Sequence, residues 1–148
     1  MLLVEGELNG AAAARGLEAV GVRLDVQGLA GAGGTPFLDG LAGRPVYLYA
    51  DPDEAGVNCL ERVGKLVRAA GAREVRVLTP LPTGDFCDLA GTEGVTALGA
   101  WLLDLLAGAD LWQPVICGNP PLPQSFSALG AAQGDLWQSG SGYQKGGW

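Results

Sequence analysis

Histidine is missing from all 148 residues. Its absence excludes imidazole general bases, Ser-His-Asp triads and histidine-ligated zinc or haem, so acid-base or metal chemistry must come from carboxylates, lysine, tyrosine or cysteine. Positive charge is scarce too: nine Lys and Arg against sixteen Asp and Glu leave a formal net charge of −7. That balance argues against tight unaided binding to a nucleic-acid backbone, and a polyphosphate or nucleic-acid substrate would need bound metal or a basic neighbour to supply the missing charge. Cysteine is limited to Cys59, Cys87 and Cys117, an odd number without metal-ligand spacing, as in reduced cytosolic thiols. Met1-Leu2-Leu3-Val4 has no basic start and meets Glu5 before an apolar core region forms, so it does not read as a signal peptide. No apolar run approaches the roughly 20 residues of a membrane span. The expected location is the cytoplasm, with no membrane partner.

What is present is enough for one globular domain: 48% hydrophobic and 17% charged residues. Met1 to Val4 reads as a minimal first strand, and Glu7 to about Val20 as a helix with Leu8, Ala11 or Ala12, and Leu17 on one face. Val22 to Val26 alternates as a second strand. The glycine-dense stretch from Gln27 to Thr35 follows it, compatible with a phosphate-facing loop but lacking the Lys-Ser/Thr of a P-loop, and equally compatible with a plain turn. Pro36 to Leu41 suits a short helix, Val46 to Ala50 a third strand, and Glu54 to Ala70 a long amphipathic helix. Glu74 to Leu78 is a fourth strand and Thr92 to Leu106 a last helix. The pattern predicts an α/β, Rossmann-like domain over 1–111: a four-stranded parallel sheet with helices on both faces. From 112 to 148 the chain turns to Gly, Pro, Ser and Gln and reads as an irregular C-terminal arm or linker, whose aromatics suit packing better than base stacking because few basic residues interleave with them.

The chemistry concentrates at Asp51-Pro52-Asp53-Glu54, where a buried strand stops at two alternate acids and a helix begins. Pro52 stiffens the turn, and two acids without a basic neighbour repel unless one is protonated or a divalent cation joins them. A plainer reading stands beside it: Asp53 caps the helix and Asp51 is a solvated strand-end acid. Right-handed crossovers put all strand carboxyl ends on one edge. Glu5 after the first strand, Asp51 and Asp53 after the third, and Asp85 and Asp88 after the fourth should therefore converge, which capping alone does not explain.

Glu5-Gly6-Glu7, then Asp51-Pro52-Asp53-Glu54-Ala55-Gly56, then Gly84-Asp85-Phe86-Cys87-Asp88-Leu89, in that order, resembles the TOPRIM domain over about residues 1 to 90. The likeness is to its primase branch, as in phage-type and mitochondrial primase-helicases and bacterial DNA primase, more than to topoisomerases. The resemblance implies Mg²⁺- or Mn²⁺-dependent nucleotidyl or phosphoryl transfer: Asp51 and Asp53 hold one ion, Asp85 and Asp88 help with a second, and Glu5 completes the shell or takes a proton from the attacking hydroxyl. The implied partners are a single-stranded DNA template, nucleoside triphosphates, and a basic partner domain or helicase, the chain being a fragment or subunit. Asn9 stands where many members carry an acid, and Gly84 where a basic residue is usual. The same domain also serves nucleases, with water in place of the hydroxyl, and non-catalytic modules of recombination proteins.

Overall fold

The computed structural model describes residues 1–82 and 84–114. Five strands form one sheet in the order β2-β1-β3-β4-β5: β1 (Leu2–Glu5), β2 (Val26–Leu29), β3 (Pro45–Tyr49), β4 (Glu74–Val77) and β5 (Asp110–Leu111). The first four run parallel, and β5 pairs antiparallel with β4. The sheet is therefore five-stranded and mostly parallel rather than the expected four-stranded parallel one, a two-residue antiparallel strand being added at its edge. That strand was illegible because it is too short to show alternation, and what fixes it lies outside it: Arg76 Nη1 donates to the Ala109 carbonyl at 2.9 Å and the Trp112 amide donates to the Val75 carbonyl at 2.9 Å.

Helices cover both faces, as the period-2 pattern of the strands requires. Leu3, Val46, Leu48, Val75 and Val77 point to one side, where they meet Cys59, Leu60, Val63 and Val67 of α2 (Glu54–Ala69). Leu2, Val4 and Tyr49 point to the other, against α1 (Glu7–Ala19), α3 (Phe86–Glu93) and α4 (Val95–Ala107). The α1–α4 contact is backbone against backbone, since a Cβ on Gly99 would overlap the Gly16 carbonyl oxygen. Trp112 belongs to this domain rather than to an arm: its indole covers Gly64 of α2, where any Cβ would strike the ring. Of the expected arm, residues 115–148 lie outside the described residues.

Five local expectations change. The second strand is Val26–Leu29 rather than Val22 to Val26, because its ladder is set by β1: Leu2 aligns with Val26 and Glu5 with Leu29. Gly28 suggested a loop, but it is a strand glycine placed for close approach, since a Cβ there would lie 2.7 Å from the Glu7 Cα at the start of α1. Residues 36–41 form turns rather than a helix. The last helix is two: Gly94, with φ +93°, breaks the pattern, and α3 begins at Phe86 because Asp85 caps it. Leu8 is 78% exposed, and α1 instead buries Asn9, Gly10, Ala13, Gly16 and Leu17, the face that small residues let approach the sheet and α4.

A glycine in an exposed helix interior costs about 1 kcal/mol relative to alanine. At Gly99 the sign should reverse: Gly99→Ala is expected to destabilise the protein by about 1–3 kcal/mol through overpacking against α1, read as a lowered urea midpoint with unchanged slope.

Candidate functional site at the carboxyl edge

The chain leaves β1 through α1 toward β2 on one side and leaves β3 through α2 toward β4 on the other. Adjacent strands whose connections diverge, with helices on opposite faces, open a crevice at their carboxyl ends, the place where open α/β sheets bind ligands. Glu5 ends β1 and Asp51 follows β3, so both stand at this switch point. Val4 pairs in register with Tyr49, and the next step of the ladder is made by a side chain: Glu5 Oε2 accepts from the Asp51 amide at 3.3 Å.

Each acid is held differently. Asp53 is the N-cap of α2, its Oδ1 accepting from the Gly56 amide at 2.7 Å. Gly56 is required there, because a Cβ would run into the Asp51 carbonyl oxygen. Asp85 is the N-cap of α3, its Oδ1 accepting from the Asp88 amide at 2.8 Å, while Asp88 Oδ2 accepts from the Asp85 amide at 3.3 Å. This is a reciprocal capping box. The plain reading of these three acids is therefore structurally true of one oxygen each. Asp51 takes part in no cap.

Burial is the first reason the Asp51 carboxyl lies above its ordinary range, followed by the charges of Asp53 and Asp85. Burial also raises Glu5; the Asp51 amide opposes the rise, and the charges of Asp51 and Asp53 add to it. Glu5, Asp51, Asp53 and Asp85 thus form one electrostatically linked group, and no cationic side chain enters the balance of Glu5 or Asp51. Asp88 stands beside the group, facing the Asp85 turn. The amino ends of α1, α2 and α3 open toward this edge, and their partial positive charge offsets some of the repulsion. Among the described residues no three acid or thiol side chains are gathered closely enough to hold a metal ion as they stand. The glycine stretch after β2 offers its carbonyls rather than its amides to a side chain: Arg62 Nη2 donates to Ala32 and Gly34 at 2.7 and 2.6 Å.

Two further residues join the site: Tyr49, which the motif reading passed over, and Asn9, noted there only as standing in place of an acid. Tyr49 is buried, with its ring stacked on Phe86 at 4.0 Å between centroids. Burial pushes its hydroxyl up to about 12, a hydrogen bond from the Leu81 backbone opposing and the charges of Asp51 and Asp85 adding. Asn9 is buried on α1, and its Oδ1 accepts from the Cys87 amide at 3.2 Å. Its signal was available in the sequence: Asn9, Ala13 and Gly16 share one helix face, and a polar side chain on a face of small residues needs a partner.

The architecture is of the Rossmann-like α/β class. No family model matches the chain, and no curated protein or solved structure matches it. No helix among the described residues is long and apolar enough to cross a membrane.

Because folding raises Glu5 and Asp51 above their unfolded values, their ionised forms disfavour the fold, and that penalty is relieved as pH falls through the raised values. With chelator present, their contribution should make the protein more stable just above the ordinary carboxylate range than at neutral pH. Asp51→Asn should raise the neutral-pH melting temperature and flatten this part of the profile, as checked by calorimetry across that window.

Proposed function

We propose that the acids at the carboxyl edge bind Mg²⁺ or Mn²⁺ and serve nucleotidyl or phosphoryl transfer on nucleic acid, as the TOPRIM-type catalytic part of a primase. The observation that carries the reading is the junction of Glu5 with the Asp51 turn at the switch point, coupled to Asp53 and Asp85. Glu5 and Asp51, half-buried with no cation in their balance, leave a charge deficit, and an all-oxygen donor set suits a hard divalent ion. When bound, such an ion neutralises phosphate charge and stabilises the attacking and leaving oxygens in line.

In this reading Asp51 and Asp53 are the principal ligands, with Asp85 and Asp88 contributing to a second ion. Asp53 and Asp85 each keep one oxygen on a helix amide, which fixes the direction of the other. Glu5, raised by burial, holds a proton more readily than an exposed carboxylate and takes one from the attacking hydroxyl. The net charge of −7 assigns the grip on a DNA template to a basic partner domain or helicase, with nucleoside triphosphate as second substrate. A second reading, a non-catalytic binding module, draws support from the caps, since Asp53, Asp85 and Asp88 each have structural work without any metal.

Millimolar Mg²⁺ or Mn²⁺ is expected to raise the melting temperature of the full chain, and Asp51→Asn with Asp53→Asn to abolish the rise. A rise that survives in the double variant removes the metal from this turn. Glu5→Gln keeps an oxygen for the Asp51 amide and should fold and melt no lower than the parent, yet stop chemistry. Template-directed ribonucleotide incorporation separates primase from nuclease, which shows strand cleavage instead, and neither product in the presence of a basic partner favours the binding module.

A further inference from the structure

The three segments that carry the acids are joined by different means. Glu5 and Asp51 are neighbours across the β1–β3 ladder and are locked by a hydrogen bond. Asp85 lies on no strand. It sits at the head of α3, which packs against α1 and α4 and stacks Phe86 on Tyr49. Apolar packing has little directional preference, so aiming the turn calls for a directional point of attachment.

Asn9 supplies that point. It is the buried polar side chain of the core among the described residues, 7% exposed, and its Oδ1 takes the Cys87 amide across 78 residues of sequence. Cys87 is the second residue of α3, and its amide is one of the four that a helix start leaves without an internal partner. Asp85 satisfies the next such amide, that of Asp88. The two bonds divide the head of α3 between a local cap and a remote one, and the remote one starts from α1, which begins two residues after Glu5.

We propose that Asn9 is a positioning residue that aims the Asp85 turn at the Glu5–Asp51 pair by capping α3 from α1. The proposal extends the metal reading above, but its geometry stands independently. Asn9 touches no metal or substrate and acts only through the Asp85 turn, on which Asp88 also stands.

The test has two arms, both on the full chain. In amide hydrogen exchange followed by NMR, Asn9→Ala should speed exchange at Cys87 about tenfold, the worth of one hydrogen bond, while β1 and β3 amides keep their protection. Asn9→Asp, which retains an oxygen acceptor, should restore it. Should Asn9→Ala fail to fold, Asn9→Ser, whose hydroxyl falls short of that amide, makes the same comparison. Unchanged exchange at Cys87 in the alanine or serine variant, or an aspartate variant that behaves like alanine, overturns the proposal. In Mn²⁺ titrations, Asn9→Ala and Asp85→Asn should each weaken binding, and the double variant should be no weaker than Asp85→Asn alone. Additive losses, or a loss from Asn9→Ala with none from Asp85→Asn, also overturn it. A parent chain that binds no Mn²⁺ sinks the metal reading instead, and exchange at Cys87 then decides Asn9 by itself.

Discussion

The parallel pairing of β1 with β3 is the constraint on which the rest hangs. Their register, Leu2 to Tyr47 through Val4 to Tyr49, brings the ends of both strands to one level, and their diverging connections leave that level uncovered. Only there can residues 46 apart, Glu5 and Asp51, meet through a side chain and an amide. Everything else at the edge is added to this junction: Asp53 by the turn it shares with Asp51, Asp85 by the docking of α3.

The edge is electrostatically uncomfortable as built. Half-buried like charges raise one another, and the compensation the protein offers them is of dipoles: helix starts and backbone amides at Asp51, Gly56 and Asp88. Such a site spends fold stability on charge crowding, which stable proteins keep at places where a ligand repays it. Arg44 is paired with Asp25 at the opposite edge, Arg73 and Arg76 with Glu74, and Arg62 with the carbonyls after β2.

Much of this was legible from residue pattern alone. The four parallel strands, the long helix ending near Ala69 and the shared edge of Glu5, Asp51, Asp53 and Asp85 follow from period-2 runs, the amphipathic stripe of α2 and crossover handedness. What escaped did so where a residue's role depends on a distant neighbour. Gly28 looked like a loop residue because nothing local reveals that Glu7 passes over it. The break at Gly94 was hidden because helical residues run up to it on both sides, and Leu8 seemed a core residue until Asn9 and Gly10 took its side of α1. The proposed metal chemistry rests on the acids' order and on their charge coupling, with Asp53 and Asp85 each giving one oxygen to a helix end.

The short strand β5 bears on how copies of this protein meet each other. By occupying the outer side of β4, with Pro114 close behind to halt further pairing, it denies neighbouring molecules a long bare margin on that flank. The other flank is β2, four residues with a glycine inside it, too short and too poorly shaped to template a growing fibre. A sheet bounded in this way can expose an acidic rim to solvent and still resist stacking edge to edge.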